Sequence, residues 1–189
     1  MKKKNYFCLM VLTLGLFTFG ACSQIEKAST ISVSVPDFTV DIPTTISSLN
    51  AASALRAAGD LKDFSGSATI DMSDPKFADL EKYKSMITSV NVGTVTVTMT
   101  ASTGTTVQNV AVSATDITPD FNISSYSIGT EYSSSEFVTY SNKVFNQFVK
   151  AGNINVSISG QTDIDETAGQ MIVSIHFGNI QVKAQLINL

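Results

Sequence analysis

The sequence predicts a mainly β fold of the α+β class: an antiparallel β-sandwich of about eight strands with two amphipathic helices. Three observations point to it. Apolar residues alternate with Ser, Thr or Asn over most of the chain. Each strand therefore has one wet face, whereas parallel strands, buried on both faces, read as continuous apolar runs. Turn residues at Ser102-Thr103-Gly104 and Gly178-Asn179 are short enough to join antiparallel neighbours. Two segments, around 74–87 and 134–150, replace the alternation by helical spacing. Two sheets can bury their apolar faces against each other, with the helices closing an end or covering a face. A single sheet packed on both helices is the alternative.

Taken in order, Ile31, Val33 and Val35 alternate with serines, and Phe38, Val40 and Ile42 continue in the opposite phase after Pro36-Asp37. A phase switch at a proline fits an edge strand with a bulge, or two short strands. Within 43–60, Ser47 or Ser48 can cap a short helix carrying Leu49, Ala52, Leu55 and Ala58 and stopped by Gly59; a loop is the alternative. Phe64, Ala68, Ile70 and Met72 make a strand. Asp74 then caps a helix with Pro75 at its first position, and Phe77, Leu80, Tyr83 and Ile87 form its apolar face. Val90 to Ala101 is the clearest strand, with Gly93 marking a phase shift. Its hairpin return carries Val107, Val110 and Val112, and a further strand runs from Phe121 to Ile128. Ser133 and Glu136 fit a capping box for the helix 134–150, closed by Gly152. Ile154, Val156 and Ile158 make the next strand, 161–168 a polar loop, and Met171 to Phe177 the strand after it. Gly178-Asn179 reads as a hairpin turn to a last strand from Ile180, or as a glycine bulge in one long strand.

The 189 residues carry a net charge of −4, but Lys2, Lys3 and Lys4 open the chain and no acid precedes Glu26. Losing residues 1–21 would make the chain three charges more acidic. Such a chain, without a basic block, is a poor candidate for nucleic acid or an anionic membrane surface. With 24 Ser and 21 Thr, hydroxyls rather than charges solvate the protein. At 43% apolar residues it can bury a core.

After the three lysines, an apolar run of about 14 residues extends from Tyr6 to Phe19, short of the roughly 20 needed to span a bilayer and suited to a signal peptide. It ends in Phe19-Gly20-Ala21-Cys22. Small residues directly before a cysteine resemble the lipobox of bacterial lipoproteins, although Phe19 departs from the usual aliphatic. The resemblance covers residues 1–22 and implies that Cys22 becomes a diacylated N-terminus. An ordinary secretory signal followed by a free Cys22 is the bland alternative. An exposed thiol with no partner is a liability in an oxidising compartment, since Cys8 would leave with the leader. The organisation expected is then a signal peptide over 1–21, a tether over 22–30 and a single β-rich domain over 31–189. Ser23, where an inner-membrane retention signal would have Asp, favours the outer membrane of the bacterial envelope.

Candidate chemistry is sparse. His176 is the lone histidine and alternates with Ile175 and Phe177, so it reads as an outward strand residue rather than a catalytic base. No Gly-x-Ser-x-Gly elbow activates a serine, and the cysteine and histidine count excludes the common metal constellations. Asp163, Asp165 and Glu166 in one loop could attract Ca²⁺ but lack the glycine and distal glutamate of an EF-hand. Asp60 and Asp63 read as another solvated turn. Asn122-Ile123-Ser124 and Asn155-Val156-Ser157 match glycosylation sequons without meaning in a bacterial lipoprotein. The stripe of Phe137, Tyr140, Phe145 and Phe148 could line a lipid groove, but such a stripe is usually core.

The expectation is a membrane-tethered envelope lipoprotein, anchored at Cys22, acting as a non-enzymatic binding or structural module without a cofactor. The alternative is an envelope carrier of lipids or hydrophobic ligands. A glycan hydrolase would need two carboxyls facing each other about 5–10 Å apart.

Overall fold

Alternation of apolar and hydroxyl side chains produces nine strands within residues 30–47, 61–101, 106–164 and 170–186, which are those the computed structural model describes. In chain order the elements are β1 (Thr30–Ser34), β2 (Phe38–Ile46), β3 (Lys62–Asp71), α1 (Ala78–Tyr83), β4 (Ile87–Thr100), β5 (Thr106–Ala114) and β6 (Ile117–Ser127). They continue with β7 (Glu131–Tyr132), α2 (Ser135–Ala151), β8 (Asn153–Thr162) and β9 (Ile172–Gln185). The fold is the expected mainly antiparallel β-sandwich with two helices, nearly closed into a barrel. β1 starts at Thr30, the last residue assigned to the tether.

β2 belongs to both layers. Phe38–Pro43 pair with Phe177–Ile172 of β9, and Thr44–Ile46 then pair with Gly66–Phe64 of β3. The switch falls at Pro43, which has no N–H to give a ladder. Gly66 permits the crossing, because a Cβ there would sit 2.6 Å from the Pro43 carbonyl oxygen. The first layer holds β1, β2, β9, β4 and β7; the second holds the end of β2 with β3, β8, β5 and β6.

The three phase shifts seen in the sequence are one structural feature. β1 and β2 lie end to end on the same edge of β9, so Pro36 separates two short strands. Opposite that break, β9 runs unbroken through Gly178-Asn179, and β4 passes Gly93 at the same level. The expected hairpin at 178–179 is therefore wrong and one long strand correct, but no glycine bulge interrupts it, since Val92 faces Ile180 and Thr94 faces Gly178 in unbroken register. Asn179 has φ 53°, and its amide donates to Asp37 Oδ1 at 3.0 Å. A Cβ at Gly93 would lie 2.8 Å from Asn179 Cβ. The phase change falls at one level in β1/β2, β9 and β4, because strands in register must turn their apolar side chains to the core together.

The expected hairpin around 102–104 is also overturned. Its turn lies outside the described residues, but β4 pairs with β9 and β7 while β5 pairs with β6 and β8, so the chain changes layer there. The helix expected within 43–60 falls on 48–60, also outside them; residues 43–46 are strand. The polar loop expected over 161–168 starts later, since Gln161 and Thr162 belong to β8. β6 starts at Ile117 rather than Phe121 because it pairs with β5 across a tight turn at Asp116, which has φ 62°.

α1 is shorter than its apolar pattern suggests, with 3₁₀ turns at Pro75–Phe77 and Lys84–Met86, and Ile87 already belongs to β4. Asp74 caps the first 3₁₀ turn, with Pro75 at its first position as expected, accepting from the Lys76 amide at 3.1 Å, while α1 itself has no side-chain cap. α2 matches its expected length, but its cap is Ser134, which accepts from the Phe137 amide at 3.1 Å. Ser133 instead donates to the Val95 carbonyl at 2.7 Å. Gly152 closes the helix with φ 90°, donating to the Phe148 carbonyl, a conformation that L side chains avoid.

The helices close the core between the layers. Phe38 stacks on Phe177 at 5.0 Å and meets Phe77 edge-on at 5.0 Å; Phe77 meets Phe148 at 5.0 Å, and Phe148 meets Phe145 at 5.4 Å. One aromatic chain thus links a sheet, the turn before α1, and α2. α2 also seals the outer edge of β4. Asn142 accepts from the Val92 amide at 2.8 Å and donates to the Val92 carbonyl at 3.0 Å, which imitates a strand partner. Along the same edge Tyr126 donates to the Val97 carbonyl and Gly129 to that of Met99. An open edge of this length would template pairing with other chains.

The body has two distinct poles. Thr30 enters beside Gln185, at one end of β9. Ile46, Lys62, Thr100, Thr106, Thr162 and Ile172 gather at the opposite end.

Candidate functional site

The aromatic stripe of α2 is core. Phe137, Tyr140, Phe145 and Phe148 are 1, 7, 1 and 0% exposed. These side chains are packed within the core, against one another and against the sheets. Only the phenol oxygen of Tyr140 is poorly served there: it is buried, and the nearby Ala114 amide does not reach hydrogen-bond geometry. Burial first, and the Asp120 carboxylate second, push its pKa up to about 12.

Among the described residues, three places on the outside carry polar chemistry. In the second layer, Thr45, Ser65, Ser67, Ser113, Ser157 and Ser159 line an open depression of about 550 Å³ where β2 departs. Their neighbours in register are largely other hydroxyls: Ser65 faces Thr45 and Ser159, and Ser157 faces Ser67 and Ser113. Such a surface offers donors and acceptors for neutral polar ligands and no charge. A second depression, about 580 Å³, separates the start of β6 from the solvent face of α2. Asp116 and Thr118 stand on one side, Lys143, Asn146, Gln147 and Lys150 on the other. The third place is the outer face of the first layer, where His176 is exposed and its Nδ1 lies 3.2 Å from Thr39 Oγ1.

The remaining expected sites disperse. Cys22, Asp60, Asp165 and Glu166 lie outside the described residues. Asp163 is structural, its Oδ1 accepting from the Thr106 amide at 3.1 Å and tying the end of β8 to the start of β5. Asp63 accepts from Gln161 Nε2 at 3.2 Å on the strand surface. Asn122 and Asn155 are exposed strand residues. Among the described residues no three His, Cys, Asp or Glu side chains converge. Carboxylates with lowered pKa all serve local structure. Asp71 is held down first by the Ser73 backbone amide, then by the Ser73 hydroxyl; Asp74 is held down by Lys76; Glu136 by its own amide and the Ser134 and Ser135 hydroxyls. None is shifted toward neutral pH, where a general acid works.

Sequence reasoning missed Thr39 as the partner of His176, Asp37 as the acceptor of the Asn179 amide, and Asn142. Asp37 carried a signal, since it sits at the phase switch. Asn142 carried none: a polar residue on an amphipathic helix reads as solvated until the edge strand beside it is known.

No family model and no curated protein matches the chain. Solved structures that show weak likeness include the following two. A chain of TmCBM61, in complex with beta-1,4-galactotriose, is 11% identical with a TM-score of 0.27, covering 78% of this chain and 87% of that one. A chain of Desmodium yellow mottle tymovirus is 11% identical with a TM-score of 0.30, covering 83% and 92%. Neither likeness bears on chemistry.

Proposed function

We propose that the chain is a membrane-tethered lipoprotein of the bacterial envelope, held by a diacylated Cys22, and that its body is a non-enzymatic binding or structural module. The leader carries this reading: three lysines, a short apolar run, then Gly20-Ala21-Cys22. Two acyl chains, at about 0.8 kcal/mol per buried CH₂, are enough for stable anchoring. Ser23 favours the outer membrane over the inner. The two poles support the module reading, because the tether joins the body at Thr30 and the far end of both layers points away from it. The hydroxyl faces offer neutral polar contacts to a protein or glycan partner. The carrier alternative draws no support from α2, whose aromatic stripe is already packed against protein.

The test is Cys22→Ala, followed by membrane fractionation and metabolic labelling with palmitate. The wild type should label and sediment with membranes; the variant should do neither. A variant that still sediments and resists a carbonate wash refutes anchoring through Cys22.

A further inference from the structure

Among the described residues, the large hydrophobic side chains left exposed are Ile172, at 38%, and Leu186, at 49%. They stand at opposite poles. Leu186 directly follows Gln185, which faces Thr30 where the tether joins the body. Val182 and Ala184, at two-residue intervals before it, are buried at 1 and 0%. Ile31 and Ile87 face Ala184 from its two sides, and both, with Met86, are only half-buried. The tether end of the first layer is therefore an apolar rim. Charge beside it is mixed. Lys183 is exposed on β9, Lys82 of α1 lies with its Nζ 5.0 Å from the centre of the Tyr83 ring, and Asp79 and Glu81 share that helix. Attraction of this rim to a surface is accordingly apolar, in keeping with an acidic chain.

A single exposed hydrophobic side chain needs no partner of its own. The tether supplies one here. Thr30 lies eight residues after Cys22, and eight residues span at most about 26–29 Å whatever path they take. β9, with 14 residues, is about 45 Å long. With β9 upright on its Ile172 end, Thr30 would stand farther from the bilayer than the tether reaches. With the Leu186 end down, it is within reach. Tethering also holds the rim and the bilayer at high effective concentration, so an apolar contact too small to recruit the protein still orients it.

We propose that the rim of Leu186, Ile31, Ile87 and Met86 rests on the bilayer that holds Cys22, with Leu186 inserted and the far pole held outward. This contact rests on the Cys22 anchor proposed above. Leu186 enters the boundary between headgroups and acyl chains, a zone about 5–10 Å deep. Lys82 and Lys183 lay their stems along it and keep their ammonium groups in water. The far pole is then the end that a partner meets.

The chain has no tryptophan, so a single introduced one reports its own surroundings. Full-length acylated protein carrying Leu186→Trp, or separately Ile172→Trp, is reconstituted into phosphatidylethanolamine–phosphatidylglycerol vesicles whose lipids are brominated near the headgroup end of the chains. The Leu186→Trp protein should emit to the blue of the Ile172→Trp protein and lose most of its emission to bromine; the Ile172→Trp protein should keep its emission. Gln185→Trp is a second reporter at the same pole, and thermal melts check each fold. Flotation with the vesicles reads the anchor separately. Protein that floats while emission from position 186 matches that from 172 overturns the contact and leaves the anchor standing. A blue shift at 186 without bromine quenching means that a second copy covers the rim, and also overturns it. Protein that does not float refutes the anchor, and the contact with it.

Discussion

Removing the carboxamide of Asn142 should expose how this sandwich protects its β4 edge. Asn142→Ala deletes three side-chain hydrogen bonds: from the Val92 amide, to the Val92 carbonyl, and to the Val138 carbonyl. Val138 keeps its helical environment, but the Val92 N–H and C=O lose their only partners on that side, and Val92 is just 1% exposed. A buried backbone group left unpaired costs about 1–3 kcal/mol. Water entering the depression beside α2 recovers part of this, so the expected loss for the two groups is about 2–3 kcal/mol. In a domain with roughly 5–15 kcal/mol of total stability that is a large share, and at about 2–4 °C per kcal/mol it lowers the melting temperature by about 5–10 °C. Asn142→Asp sharpens the test. Its carboxylate can still accept from Val92 N–H but faces two carbonyl oxygens where the amide donated. The fold therefore favours the protonated acid, which can donate, and raises its pKa above the ordinary value of about 3.9. Below that value the variant should approach wild type. The deficit should grow as pH rises through the unfolded and then the raised folded pKa, and be complete near neutrality. Urea melts at several pH values measure both effects. An Asn142→Ala protein that melts like wild type, or an Asn142→Asp deficit independent of pH, would refute the idea that this side chain acts as a strand partner.

Other perturbations test the core and the crossing. Phe148→Ala removes a ring that is 0% exposed and in contact with Phe77 and Phe145; the cost should be about 3–5 kcal/mol by thermal melt, and a wild-type melt would mean the stripe is not load-sharing. Tyr140→Phe deletes a buried hydroxyl without a partner, so stability should stay within about 1 kcal/mol or rise. Because the folded pKa of Tyr140 is raised to about 12, the wild type holds its full contribution below the ordinary phenol pKa. It loses that contribution as pH climbs toward the folded value. The Phe variant should therefore gain on wild type between about pH 10 and 12, and a constant gap would contradict the burial argument. Gly66→Ala sets a methyl against the Pro43 carbonyl and should cost about 1–3 kcal/mol, read from urea midpoints; a neutral result would show that the β2 crossing is not tight.

Local chemistry made much of this protein legible. Alternation of apolar residues with hydroxyls identifies the strands, because a sheet with one wet face has to repeat every two residues. The α2 stripe and its Gly152 stop are equally local, since a helix and its ends depend on residues within a turn or two. Errors of a single residue, such as Ser133 for Ser134 at the α2 cap, arise where adjacent serines compete for the same bond. Larger errors arose at turns. Gly178-Asn179 has the composition of a hairpin, yet β9 continues through it, because β2 and β4 flank it on both sides and shift phase at the same level.

The sequence by itself determined the mainly β class, the antiparallel pairing and the length of α2. These follow from spacing within a few residues. Only the tertiary structure decided that β2 serves two layers, that β4 and β5 part company, and that Asn142 closes an edge. Each of those depends on residues from separate elements, for example Val92 and Asn142, 50 positions distant in the chain. The physical reason is that a side chain's spacing fixes which face it takes, while its neighbours across the sheet are fixed by register, and register is settled by the packing of the whole core.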